Sequence, residues 1–569
     1  MPFAAFGQED EMHGMSNEER VLLSNDYQSS TSFNAIITPP PVPVRAAAEW
    51  EEVQTLFITW TSFPAILREI IKNAQQECRV IVVCTDSNTV KTNLTTNNVP
   101  MTNVGFLQKP YNTIWLRDYG GNTVYENEVE DRLFVDWIYN RPRPKDDTIP
   151  AAIASMYNIP HYSTTTPPYD LVGTGGNYMS DGRGTAFASK LILNENQGTG
   201  FSPTPKTEAQ IDSIMHDFLG INYGRYIKME TLPYDGIHHI DMHLKLLDEE
   251  TLLVGEYPQG MADGPQIEAN LQYILANYNS VFGTPYKVVR IPQPPENGVY
   301  PNTSGAYRTY ANWIFVNKMI LMPFYETQYD TTAVRILEAA LPNYNIVGIP
   351  CNDIIQQSGA IHCITHTLGI DNPLLISHQP LEDTYNTATP YPITALIAHR
   401  TGISAANVMY RLNNTGSFLP ITMTNTGQNI WTANIPAQSV GTEIAYYIDA
   451  TATSGKQQVR PITAPGGFWD FKVLGGVAVE NGIGEMGILP IFPNPAAALT
   501  CIPIKMDKPI AATIDMYDVL GKKVQTIFEG MMPAGESKYF FFANKLTSGV
   551  YSVVLQTANQ RYVQRVVVK

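Results

Sequence analysis

The hydrophobic pattern changes character near residue 375, and that change constrains the chain more than any other feature. From about Ala46 to Leu374, apolar strand-like runs alternate with short helical stretches: Leu56-Phe-Ile-Thr-Trp60, a helix around Ile66 to Ala74, then Arg79-Val-Ile-Val-Val-Cys84. The same alternation returns at Val334 to Leu341 followed by Tyr344 to Ile349. This predicts an α/β body over residues 45–374. Beyond it, short alternating runs at Val408 to Leu412, Ile430 to Ile435 and Glu443 to Ile448 are separated by Asn413-Asn-Thr-Gly416, Asn425-Thr-Gly-Gln428 and Thr453-Ser-Gly-Lys456. Strands at turn-punctuated spacing, with no helical period, predict a β-sandwich of immunoglobulin or fibronectin type over 378–473. A Gly-rich joint at Gly475-Gly476 and Gly482 to Gly487 precedes a third, all-β unit over 485–569.

The first 44 residues are polar and end in Thr38-Pro-Pro-Pro-Val-Pro-Val44. Such a segment cannot bury enough apolar surface to fold alone and is expected to be disordered. Met1 to Gln8 is too short for a full signal peptide, though Ala4-Ala-Phe-Gly7 fits the tail of one that begins upstream. No apolar run approaches the roughly 18 to 20 residues that span a bilayer, so no transmembrane segment is expected. The net charge of -16 argues against a nucleic-acid partner, since phosphate contacts need a Lys/Arg surplus on some face. The five cysteines, Cys78, Cys84, Cys351, Cys363 and Cys501, have no metal-type spacing and an odd count, so neither a metal site nor a disulfide scaffold is expected.

Three clusters carry chemistry. In Ile237-His-His-Ile-Asp-Met-His243, an extended backbone would project His239, Asp241 and His243 from one face. A metal site, an acid/base pair with its charge anchor, and an inert buried pair all remain open there. In Gly359-Ala-Ile-His-Cys-Ile-Thr-His366, Cys363 follows a small-residue turn between two histidines. A thiol attacks only as thiolate, and a neighbouring positive charge, such as a bound guanidinium, lowers its pKa. A small buried hydrophobe is the plain alternative. In the strand-like run Thr113-Ile-Trp-Leu-Arg-Asp-Tyr-Gly-Gly121, Arg117 and Asp118 interrupt an apolar pattern. Either Asp118 and Asp241 clamp a guanidinium, with Trp115 stacked on it, or Arg117 and Asp118 hold a turn over a core Trp115.

Trp115-Leu-Arg-Asp118, Gly175-Gly-Asn-Tyr-Met179, His239-Ile-Asp241, Tyr310-Ala-Asn312 and Gly359-Ala-Ile-His-Cys363 occur in that order across the α/β body. Together they resemble the agmatine deiminase and bacterial (Porphyromonas-type) peptidylarginine deiminase family. The resemblance implies a five-bladed pseudosymmetric α/β propeller with a central site, and a spacing of roughly 50 to 70 residues per motif suits such a repeat. It implies that Cys363 attacks the guanidino carbon and that His239 protonates the departing ammonia and later activates water. Asp118 and Asp241 then hold the guanidinium, Asn312 fixes the catalytic loop, and no metal or organic cofactor is needed. The last unit has a resemblance of its own. Phe492-Pro-Asn-Pro495, Met516-Tyr-Asp-Val-Leu-Gly521 and Leu546-Thr-Ser-Gly-Val-Tyr551, ending in Arg565-Val-Val-Val-Lys569, resemble the type IX secretion sorting domain. That implies the type IX secretion machinery as a partner, and a chain secreted or attached to the outer-membrane surface of a Bacteroidetes-type bacterium.

Two features favour arginine-containing peptides or proteins as substrate. Tyr139-Asn-Arg-Pro-Arg-Pro-Lys145 resembles the segment in which the peptidyl enzyme binds the substrate's C-terminal carboxylate, so Arg141 and Arg143 are implied anchors. Thr174 stands before Gly175-Gly176 where agmatine deiminases usually have a Glu. The peptidyl enzyme's aromatic residue before the catalytic His is replaced by Gly236, with Tyr234 nearby. An exported agmatine or free-arginine deiminase is the alternative enzyme, and a catalytically inactive surface adhesin the alternative of another class.

Overall fold

Apolar strands short enough to be covered on both faces, joined by amphipathic helices, build five small sheets over the first part of the chain. The structure is a computed structural model and describes residues 12–24, 35–198, 200–201, 204–474, 487–519, 521–557 and 560–569. The five sheets repeat one connection. A short strand pairs antiparallel with the next, which then pairs parallel with a strand reached through a helix. Leu244–Leu246, Thr251–Glu256, helix Gly264–Asn277 and Lys287–Pro292 form one such unit. Ile314–Val316, Met319–Phe324, helix Thr327–Ala340 and Asn345–Pro350 form another. Asn122–Glu126 with Arg132–Tyr139, and Met179–Ser180 with Ala186–Ser189, begin two more, completed by His161–Thr164 and Tyr226–Met229. The fifth joins the two ends of the body: Thr365–Gly369 pairs antiparallel with Val53–Thr59, which pairs parallel with Arg79–Cys84.

The helices form where a starting signal meets an apolar stripe. Pro64–Ala74 opens on a proline and buries Ile66, Leu67, Ile70, Ile71 and Ala74 along one face. Glu208–Leu219 has a capping box between Thr207 and Gln210 and stops at Gly220, which has φ +70°. A Cβ at Gly220 would lie 1.8 Å from the carbonyl oxygen of Val44, so no side chain fits. The longest of the described helices has 14 residues.

From Leu375 to Lys472 two sheets enclose one core, in which Ile393, Ile397, Val408, Ile435, Ile444 and Ile448 are fully buried. The sandwich begins a few residues earlier than expected, because Leu375–His378 pairs with Tyr391–Ala398. It packs on the α/β body through Lys456 to Glu52 (2.6 Å), Arg460 to Glu249 (3.1 Å) and apolar contact of Leu396 and Ala398 with Val129. Body and sandwich form one unit, and residues 475–569 a second. The second unit has two sheets around its own core, including Ile502, Ile504, Ile514, Val553, Leu555 and Val566. The expected joint at 475–486 lies outside the described residues.

Two local expectations are corrected. Thr113 to Gly121 is not a strand: Leu116–Tyr119 is a helical turn, in which Leu116, Arg117, Asp118 and Tyr119 are all buried. The backbone closes on itself instead of on a neighbouring strand: the Asp118 amide donates to the Trp115 carbonyl (3.1 Å) and the Gly120 amide to the Leu116 carbonyl (2.9 Å). Residues 12–24 and 35–43, expected to be disordered, make defined contacts. Asn17–Ser24 is a helix, and Ile36 forms a bridge with Tyr162. A polar segment without a core of its own is ordered here by docking on someone else's core, that of the body. The expectation for residues 1–11, including the signal-like Ala4 to Gly7, and for 25–34 falls outside the described residues.

Candidate active site

Each of the five sequence motifs stands just ahead of the strand that pairs antiparallel within one of the five repeated units. The turn Leu116–Tyr119 precedes Asn122–Glu126, Gly175–Asn177 precedes Met179–Ser180, and Ile240–Met242 precedes Leu244–Leu246. Asn312 precedes Ile314–Val316, and Cys363 precedes Thr365–Gly369. Equivalent points of a repeated unit bring distant residues together. Asn312 Nδ2 donates to Cys363 Sγ (3.2 Å) and to the Asp241 carbonyl (3.3 Å), while its Oδ1 accepts from the His362 and Cys363 amides (3.1 and 3.4 Å). Arg117 donates its amide to the Cys363 carbonyl (3.1 Å).

Cys363 Sγ lies 3.6 Å from Asp241 Oδ2, and the thiol is fully buried. Burial, then Asp241 and Asp118, push its pKa well above the ordinary thiol value. Burial also pushes Asp241 up, but the hydrogen bond and charge of His362 outweigh it and hold the carboxyl below its usual range. Asp118 behaves alike: His13, His239 and Arg141 overcome its burial and lower it. His239 Nδ1 is 3.6 Å from Asp118 Oδ1. Among the described residues neither His239 ring nitrogen has a hydrogen-bond partner, and burial brings its pKa down to about 4 despite the nearby acids.

The extended face expected for His239, Asp241 and His243 does not form. His239 is extended, but Ile240–Met242 is a 3₁₀ turn, so alternation ends after His239. Asp241 faces Cys363 and His362, whereas both ring nitrogens of the buried His243 lack hydrogen-bond partners among the described residues. Among the described residues, the acids and histidines whose atoms converge closely enough to hold an ion are His13, Asp118 and His239.

Trp115 is fully buried and stacks flat on His13, with ring centroids 4.1 Å apart and planes 6° from parallel. Gly359 permits this: a Cβ there would meet Trp115 Cζ3 at 2.3 Å. Arg141 and Arg143, from the loop after Arg132–Tyr139, both point at the N-terminal segment. Arg141 Nε donates to the His13 carbonyl (3.3 Å), and Arg143 pairs with the Glu19 carboxylate through Nε (2.6 Å) and Nη2 (3.3 Å).

Several participants escaped the reading of the sequence. His362 lies between two acids, with Nδ1 2.7 Å from Asp241 and Nε2 2.7 Å from Glu49. Lys245 and Arg117 in turn face Glu49. Glu49 sits in Ala46-Ala-Ala-Glu49, where nothing nearby marks it, but His362 directly precedes the cysteine and was a readable candidate. Glu195 accepts from Asn140 (2.7 Å), and its burial raises its pKa to about 7. A Cβ on Gly176 would meet His239 Nδ1 at 2.5 Å and Asp118 Oδ1 at 3.1 Å, so the second glycine of the pair lets these two groups approach.

A flat aromatic face and two buried carboxylates suit a planar cation with several donors, and a thiol stands beside them. Such a cation would offset the two negative charges that now oppose the thiolate.

Residues 45–368 match the family described as Porphyromonas-type peptidyl-arginine deiminase, and residues 490–569 match the secretion system C-terminal sorting domain. A Mycoplasma mycoides protein assigned as an agmatine deiminase is 25% identical over 290 residues, which span 46% of this chain and 76% of that protein. A solved structure of a Porphyromonas gingivalis protein assigned as an arginine deiminase superposes with a TM-score of 0.50 at 21% identity, covering 57% of this chain and 98% of that one. The agmatine deiminase of Enterococcus faecalis gives a TM-score of 0.50 at 18% identity, covering 59% and 99%. At these identities the two solved structures share the fold. The sorting domain marks the chain as secreted or attached to the cell surface in Bacteroidetes, by way of the machinery that reads such tails. Among the described residues, no helix is long and apolar enough to cross a membrane. The first match takes in more than half of the chain, Asp118, His239, Asp241, Asn312 and Cys363 among its residues, and the chain belongs to the Porphyromonas-type peptidyl-arginine deiminase family.

Proposed function

We propose that the chain is a protein-arginine deiminase that hydrolyses the guanidino group of a C-terminal peptidyl arginine to citrulline and ammonia. The observation that carries this is Arg143, which grips a carboxylate, that of Glu19, beside the pocket where Asp118 holds a basic ring. Agmatine carries no carboxylate to meet it. The five repeats are taken as blades of a pseudosymmetric propeller around this pocket.

In this reading the guanidinium lies on Trp115 between Asp118 and Asp241. Its charge favours the Cys363 thiolate, and the thiol proton passes to His239. The sulfur attacks the guanidino carbon. In the tetrahedral adduct so formed, the imidazolium of His239 protonates one amino group, the C–N bond breaks, and ammonia departs to leave a thiouronium adduct. Neutral His239 next takes a proton from water as the hydroxide adds to the same carbon. Collapse breaks the C–S bond and releases the ureido product; the proton on His239 returns to the sulfur, and the hydroxyl proton, equal to the charge the guanidinium brought in, leaves with the ammonia as ammonium. Asn312 holds the cysteine loop, while His362 and Glu49 position Asp241.

Mass spectrometry of peptides with C-terminal or internal arginine, run beside agmatine, tests the reading. Citrulline is expected at C-terminal arginine. Arg143→Ala removes a bidentate charged contact worth about 1.5 to 3 kcal/mol, so KM for that peptide should rise roughly ten-fold or more relative to agmatine. The ratio between substrates cancels any loosening of the N-terminal segment that both would feel. Better turnover of agmatine, with a ratio indifferent to Arg143, would replace this reading with an exported agmatine deiminase, the activity named for the Enterococcus protein.

A further inference from the structure

The chain's own residues 12–24 fill the pocket just assigned to substrate. His13 is fully buried. Its ring lies flat on Trp115, and its Nε2 is 2.5 Å from Asp118 Oδ2. Nδ1 is 2.8 Å from the Ser358 carbonyl, and the His13 amide donates to the Gln357 carbonyl (3.2 Å), so the loop that leads to the cysteine holds the residue as well. The ring also meets His239 edge-on, with centroids 5.2 Å apart.

Backbone and helix complete the fit. Arg143 Nη2 donates to the carbonyls of Met12 (2.9 Å) and Gly14 (3.1 Å). Ser16 and Glu19 cap the helix reciprocally: the Glu19 amide donates to Ser16 Oγ (3.1 Å) and the Ser16 amide to Glu19 Oε2 (2.9 Å). The cap fixes the same carboxylate that Arg143 binds.

We propose that residues 12–24 are an internal pseudosubstrate that keeps the exported chain latent, with His13 in the place of the substrate's guanidinium and Glu19 in the place of its carboxylate. The assignment of those two places rests on the function proposed above. An imidazole stacks on Trp115 and bonds to Asp118 as a guanidinium would, but it carries no amino group to expel, so Cys363 faces a ring it cannot turn over. A ligand joined to the body by the chain has an effective concentration on the order of millimolar, so modest contacts suffice to hold it. Ile36 is bridged to Tyr162, so displacing the segment leaves the body's own first residues anchored.

The test reads the seal directly, in the full-length chain, by the rate at which iodoacetamide alkylates Cys363, followed by peptide mass spectrometry. His13→Ala should speed alkylation on the order of ten-fold, as expected when a mostly closed site becomes mostly open. Cys78, Cys84, Cys351 and Cys501, buried elsewhere, should not change. Glu19→Gln, which keeps the shape of the segment, should act in the same direction. A synthetic peptide of residues 12–24 added to the His13→Ala chain should restore protection. Equal rates in wild type and both variants overturn the proposal. So does deprotection of the wild type by EDTA alone, which would assign the seal to an ion held by His13, Asp118 and His239. Faster alkylation without turnover of any guanidine upholds the latch and overturns the substrate reading instead.

Discussion

Two acids beside a thiol oppose the thiolate until a cation lies between them, and the site is built on that opposition. Asp118 and Asp241 both raise the pKa of Cys363, after burial. The Cys363 sulfur should therefore be less nucleophilic in the empty pocket than with a cation bound there, while still open to alkylation at raised pH. Removing one negative charge must shift the thiol downward, since an acid nearby disfavours the anion. In the His13→Ala chain, adding Asp118→Asn should move the pH midpoint of Cys363 alkylation to lower values. The same change removes one of the two acids proposed to hold the guanidinium, so turnover should fall roughly 100-fold or more. A midpoint that stays in place or rises would show that Asp118 does not act on the sulfur. That Asp118 would stand beside His239, and Asp241 and Asn312 beside Cys363, was legible because each sits in a motif whose neighbours are themselves informative. Glu49 was not legible: its importance comes from His362, Lys245 and Arg117, all distant in sequence, which surround one carboxylate.

The elements were easiest to read where one periodicity runs uninterrupted. The amphipathic stripe of Pro64–Ala74 and the apolar run Arg79–Cys84 appear as expected, because the helix is packed on one face and the strand is covered on both. The turns that hold the site were harder. Leu116–Tyr119 and Ile240–Met242 are short and buried on every side, so neither a period of two nor one of 3.6 marks them. Space decides their form, as the adjacent glycines show. A Cβ on Gly175 would lie 2.0 Å from the Arg117 carbonyl oxygen, a backbone atom that cannot yield without moving the turn. A Cβ on Gly176 would instead strike the imidazole of His239. Gly175→Ala should therefore destabilise the fold by at least about 1 to 3 kcal/mol, seen as a lower urea midpoint. Gly176→Ala should leave that midpoint nearly unchanged and lower kcat on the order of 100-fold, because displacing one reacting group by about 1 Å costs that much. The same loss of stability in both variants would show that the pair serves folding alone.

At the scale of the molecule, the polar composition of the first 44 residues misjudged the N-terminal segment. Residues 12–24 lack a core of their own, and what orders them is a pocket lined from Trp115 to Ser358, which no local reading of polar residues can anticipate. The tail presents the opposite case: its alternating strands bury Ile502, Ile514, Val553 and Val566 among themselves. Every residue placed at the site, the pseudosubstrate included, lies in the first unit, whereas the match to the sorting domain lies wholly in the second. Catalysis and address are thereby written on separate cores, and separate cores fold and fail separately. A chain ended at Leu474 should then keep kcat/KM within about two-fold of the full chain, and should respond to His13→Ala by the same factor. In cells of the secreting type it should no longer reach the medium or the cell surface, as fractionation with an antibody to the body would read. A shortened chain that loses activity while keeping its unfolding midpoint would mean that residues 487–569 contribute to the site itself.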